Sequence, residues 1–108
     1  MSVEKIERQK AWAVVGATTG GTAVSIPGDI SEIEVDVQYG SSNLYFPFHF
    51  IKDQLAQAAK NFTIGYYINA TTTGFCQVLV SSDSIKVNAL YISGTDHTTS
   101  ARMRVFAK

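Results

Sequence analysis

The segment from Glu32 to Tyr39 reads EIEVDVQY and alternates without a fault. Ile33, Val35, Val37 and Tyr39 fall on one side of an extended chain; Glu32, Glu34, Asp36 and Gln38 fall on the other. A period of two separates these residues where a helical period would mix them, so the segment is a strand with one dry and one wet face. The next apolar run repeats the pattern with heavier side chains. Leu44, Phe46, Phe48 and Phe50 share a face, and Pro47 is turned to the other. Proline donates nothing to a ladder, which puts this run at a sheet edge or a bulge. Gly40-Ser41-Ser42-Asn43 supplies the turn between the two strands.

The rest of the chain keeps the same idiom. Short runs rich in Val, Ile, Tyr and Phe are separated by Gly, Ser, Thr, Asn and Asp clusters. Residues 10–17 carry Trp12 and Val14, and residues 22–26 end at Pro27-Gly28. Residues 61–68 place Phe62, Ile64, Tyr66 and Ile68 inward. Residues 75–80 are apolar on both faces, which predicts a central strand or one covered by a neighbouring subunit. Residues 84–92 follow, and 99–107 put Ala101, Met103 and Val105 inward with Arg102 and Arg104 outward. Only 52–60, KDQLAQAAK, breaks the pattern. Its helix formers predict about two helical turns, capped by Asp53 and packed through Leu55, Ala58 and Ala59. The expected fold is all-β: a jelly-roll-like β-sandwich of about eight antiparallel strands with one short crossover helix. Trp12 is expected to cover one end of the core. Residues 1–10, MSVEKIERQK, form a charged lead, helical or disordered, before a single domain over 11–108.

At 108 residues, a chain with 45% hydrophobic residues can bury one real core without covalent staples. Charged residues make up 17% and the formal net charge is zero, while Ser and Thr number ten each. Such a surface lacks the clustered Lys and Arg that a nucleic-acid backbone or an anionic membrane requires. Cys76 stands alone, so no intrachain disulfide can form. The lead has no apolar stretch of the secretory type, so no signal peptide is expected.

Catalytic templates fail one by one. A Ser, Cys or Thr nucleophile needs a base, and only His49 and His97 can serve. His49 sits in a strand, and Asp96-His97 lies in a turn, where adjacent residues rarely aim at each other. No nucleophile-elbow sequence is present. Two separated histidines and one strand cysteine do not assemble a metal site. Gly20-Gly21 leads into a strand instead of the helix a phosphate loop needs. The chain is therefore expected to be no enzyme and to carry no cofactor or metal.

What remains suits recognition. Tyr45, Tyr67 and Tyr91 are rigid contact residues beside hydroxyl- and amide-rich loops at 40–43, 69–74 and 93–99, a combination that binds sugars. With Asp96 and His97 they are the candidate ligand-binding residues. A second constellation is electrostatic. Glu32, Glu34 and Asp36 line the wet face of one strand, and Arg102 and Arg104 line that of the last. If the strands are neighbours or meet across a subunit boundary, these rows pair, Glu34 against Arg104, and fix register.

The order of features resembles a family. It runs from Ala11-Trp12-Ala13-Val14-Val15 through Glu32-Ile33-Glu34-Val35-Asp36-Val37 and Phe46-Pro47-Phe48-His49-Phe50 to Gly65-Tyr66-Tyr67 and Ala101-Arg102-Met103-Arg104-Val105-Phe106. Together these look like the small β-sandwich domains of phage and prophage structural proteins, often found in tail-fibre or tail-associated proteins. The resemblance implies a virion-associated structural or receptor-binding module, favouring a homotrimer, that recognises a host surface glycan or another virion protein. Its location would be the virion, or the host cytoplasm before assembly. A monomeric bacterial carbohydrate-binding module and a capsid decoration protein are the alternatives.

Overall fold

A computed structural model describes residues 12–42, 44–55, 58–69 and 72–108, with the side chains of residues 66, 68 and 69 outside the described set. The expectations for the 1–10 lead and for Tyr66 and Ile68 fall outside these residues. Among the described residues the alternating segments form nine strands: β1 (Ala13–Thr19), β2 (Val24–Ser25), β3 (Glu32–Tyr39), β4 (Tyr45–Ile51), β5 (Lys60–Asn69), β6 (Thr72–Val80), β7 (Ser84–Ile92), β8 (Thr95–Asp96) and β9 (Ala101–Ala107). They build two antiparallel sheets packed as a sandwich, with strand orders β1-β9-β3-β4 and β2-β7-β6-β5, β8 pairing with β7. The links β1–β2, β2–β3, β4–β5 and β8–β9 cross between sheets, whereas the β3–β4 hairpin and the β5–β6–β7 meander stay within one.

Period two explains the core. Ile33, Val35 and Val37 of β3, Phe46, Phe48 and Phe50 of β4, and Met103 and Val105 of β9 form the inner face of one sheet. Cys76, Val78 and Val80 of β6 meet them from the other, with Ile85, Val87 and Leu90 of β7. Phe50 reaches across to Phe62 of β5, edge to face, with ring centroids 4.9 Å apart. Strand β6 lies between β5 and β7, so its apolar residues have neighbours on both sides in the sheet. Strand β4, which carries Pro47, is an edge.

Three local expectations are corrected. Among the described residues of 52–60 the expected helix is replaced by one 3-10 turn, Lys52–Gln54, and β5 already begins at Lys60. Asp53 makes no cap there; the Gln54 Oε1 instead accepts the Ile51 N–H at 2.9 Å. Leu55 alone of the expected packing residues leans on the core. Helix propensity summed over so short a stretch does not repay nucleation when both ends are pulled into strands. The last strand is preceded by the two-residue β8 and a second 3-10 turn, Thr98–Ser100. Trp12 lies outside the core cluster; its ring carries the Lys108 ammonium 4.8 Å from its centroid.

Candidate binding surfaces

Each sheet turns a different chemistry outward. On the five-stranded sheet, β5 presents Thr63, Gly65 and Tyr67; β6 presents Thr73, Phe75, Gln77 and Leu79; β7 presents Lys86, Ala89 and Tyr91. The register sets Gly65 opposite Phe75, Phe75 opposite Tyr91 and Tyr91 opposite Asp96. Phe75 and Tyr91 are half-buried, with ring centroids 5.0 Å apart at 32°. Tyr67 sits one diagonal step from Phe75 and is 71% exposed. Gly65, directly opposite Phe75 and two residues along β5 from Tyr67, leaves the strand bare: a side-chain carbon there would meet only the Gly74 carbonyl, at 3.8 Å. One level along the sheet runs a chain of polar groups. The Asn88 amide donates to Gln77 Oε1 at 2.8 Å, and the Gln77 amide donates to Thr63 Oγ1 at 3.2 Å. Asn88 is the extra residue of a β-bulge, the kind of irregularity that re-aims a side chain.

Asp96 and His97 take separate partners. Asp96 Oδ1 accepts from the Thr98 N–H at 2.8 Å and from the Thr98 hydroxyl at 2.5 Å, and Thr98 Oγ1 in turn accepts the Leu90 N–H at 3.1 Å. These bonds to Thr98 hold the Asp96 carboxyl below its usual range, with His97 adding to the effect. His97 packs on Tyr39, with ring centroids 4.9 Å apart and Nδ1 3.3 Å from the Tyr39 hydroxyl. The carboxylate therefore pins the β7–β9 link, while the imidazole ties that link to β3.

The four-stranded sheet is charged on its outer face. Its registers define cross-strand rows: Val14, Phe106, Glu34 and His49; then Ala17, Arg104, Asp36 and Pro47; then Thr19, Arg102, Gln38 and Tyr45. Strands β3 and β9 are neighbours, but the pairing differs from the expected one. Arg104 Nη2 donates to Asp36 Oδ2 at 3.0 Å, Glu34 faces Phe106, and Arg102 faces Gln38. Glu32 lies beyond the row, held by His49 Nε2 at 2.9 Å and Lys108 Nζ at 3.6 Å. These contacts, the His49 hydrogen bond first, draw its carboxyl below the usual range. Val14, one of the first strand's apolar residues, points outward and is 67% exposed. Two open depressions of about 430 Å³ lie on this face, one bordered by Asp36, Pro47, His49 and Phe106, the other by Thr19, Gln38, Tyr45 and Arg102.

The structure thus divides the candidate residues. Tyr67, Tyr91 and Asp96 share one sheet, Tyr45 belongs to the outer face of the other, and His97 joins the two sheets. Phe75, the ring partner of Tyr91, escaped the sequence reading although its phase, opposite to that of Cys76 and Val78, marks it as outward. Among the described residues no group of three or more His, Cys, Asp or Glu is placed to hold a metal ion. Cys76 is fully buried, and burial pushes its thiol up to about 12. No described helix is long and apolar enough to cross a membrane.

The class these features define is an antiparallel β-sandwich with an aromatic and a charged outer face. Comparison with family models, curated proteins and solved structures finds no match.

Proposed function

We propose that this chain is a non-catalytic recognition module of a phage or prophage virion, and that it holds a host surface glycan on the outer face of its five-stranded sheet. The observation that carries the reading is the aromatic strip of Tyr67, Phe75 and Tyr91 around the bare backbone of Gly65. A pyranose has an apolar C–H face and a rim of hydroxyls. The rings take the face, and the Asn88–Gln77–Thr63 chain takes the rim. An outward cluster of large rings is informative because a solvated sheet face has no need of one. The resemblance of the sequence features to phage structural domains adds the virion setting and the trimer.

A glycan array probed with the intact chain tests this. Binding to neutral glycans that is lost in Tyr67→Ala and in Tyr91→Ala, with thermal unfolding of the Tyr67 variant unchanged, is the expected result. An array without hits, or variants that bind as the parent does, overturns it. Light scattering on the eluted peak tests the assembly: a trimer fits the virion module, and a monomer favours a free-standing carbohydrate-binding module using the same face.

A further inference from the structure

We infer a second site, independent of the aromatic strip, on the outer face of the four-stranded sheet: the depression bordered by Thr19, Gln38, Tyr45 and Arg102 takes a sugar that bears a carboxylate. The two arginines of this face are in different states. Arg104 is committed to Asp36 at 3.0 Å and lies 5.8 Å from the Phe106 ring centre. Arg102, one pleat further along β9, is exposed and has no carboxylate partner among the described residues. A guanidinium presents a planar fork of donors that matches a carboxylate with two parallel bonds.

The groups around Arg102 fit the rest of a sugar. Thr19, Arg102, Gln38 and Tyr45 form one continuous cross-strand row over all four strands, so their side chains stand side by side at the strand spacing. Tyr45, on the edge strand, is 45% exposed and offers a ring face. Gln38 is anchored, its amide donating to the Ser42 carbonyl at 2.8 Å. Thr19, exposed on β1, offers a hydroxyl at the opposite border. The depression, about 430 Å³, lies within the range of roughly 300–1,000 Å³ found for small-molecule sites. Arg104 also lines the depression, but Asp36 neutralises it, so one uncompensated positive charge is left and a monoanion suits the site better than a dianionic phosphate.

The test is titration of the ¹⁵N-labelled intact chain with methyl glucuronoside and with methyl sialoside, using methyl glucoside as the neutral control. At least one acidic sugar should shift the amides of Thr19, Gln38, Tyr45 and Arg102 saturably, where the neutral sugar does not. Arg102→Lys keeps the charge but loses the fork, and should weaken binding about tenfold or more. Tyr45→Ser should weaken it as well, and Tyr91→Ala should leave it intact. The inference is overturned if neither acidic sugar exceeds the neutral one, or if Arg102→Lys binds as the parent does. It is also overturned if the shifts map to Tyr67, Phe75 and Tyr91, an outcome that leaves the aromatic-strip reading standing.

Discussion

Gly16→Ala tests how the two sheets close on each other. Gly16 lies on β1, at one edge of the four-stranded sheet, directly over Val24 of β2 in the other sheet. A Cβ at Gly16 would stand 2.9 Å from Val24 Cγ1 and 3.3 Å from Cγ2. Apolar carbons settle at about 3.5–4.0 Å, so the layers would have to part locally by roughly 0.6 Å or more. Val24 cannot swing aside, because valine is stiff at χ1 and this one is buried and laddered to Ile85. The strain falls on β1, which is tied to β9 along its length. Overpacking of this kind costs about 1–3 kcal/mol, and the stiffer unfolded chain offsets about 0.4–1 kcal/mol of it. At roughly 4–8 °C per kcal/mol for a domain near this size, the midpoint should fall by about 5–10 °C. Thermal and urea unfolding would measure this. Val24→Ala placed in the Gly16→Ala background returns the space, so the double variant should be clearly more stable than the two single losses predict. A Gly16→Ala variant as stable as the parent, or strict additivity in the double variant, would refute the packing argument.

Three further outcomes follow from single contacts. The exposed Asp36–Arg104 pair should contribute about 0.2–1 kcal/mol; exchanging the two residues should recover most of what either reversal loses, whereas exchanging Glu34 with Arg104 should recover nothing. Glu32 has a folded-state pKa lowered by His49 and Lys108, so its contribution is present above the ordinary carboxylate range and lost as pH falls through the lowered value. The stability difference between the parent and Glu32→Gln, followed by urea unfolding, should therefore shrink on acidification; a difference constant with pH would contradict this. Cys76, buried and with its thiol pushed up to about 12, should resist a thiol reagent near neutral pH until the chain opens. Its labelling rate should rise with urea in step with unfolding, and rapid labelling of the native protein would count against the burial.

The layers of the fold were legible because the buried face of a strand writes a period of two into the sequence. Ile33, Val35 and Val37 are buried as their alternation predicts, and so are Phe46, Phe48 and Phe50. Pro47 marked its strand as an edge or a bulge for a reason internal to proline, and the strand is an edge. What misled was local propensity. KDQLAQAAK has the composition of a helix, yet among its described residues only Lys52–Gln54 takes even a 3-10 turn, because the link between the sheets is short and strand β5 claims Lys60. The extra residues were also silent. Val15 in β1 and Asn88 in β7 lie at register shifts, and nothing in their own side chains announces a bulge.

The surfaces were legible only in part, since alternation assigns a side chain to a face and not to a neighbour. A slip of β9 along β3 by two residues would keep every face intact and would set Arg104 against Glu34, as the charge rows alone suggest. The dry side of the pair favours the other register. There Ala107 stands opposite Ile33 and Ala101 opposite Tyr39, a small residue against a large one at each end, with Met103 on Val37 and Val105 on Val35 between them. Close-packed interiors reward that complementarity more than an exposed ion pair rewards proximity, so the core sets the register and the charges take what it leaves. Arg104 then falls to Asp36, Arg102 is left facing Gln38, and the binding chemistry of the outer face becomes a consequence of packing on the inner one. The tyrosines divide in the same way. Tyr45 and Tyr67 both point outward from edge strands, and only the crossing between β4 and β5 sends one to the charged face and the other to the aromatic one.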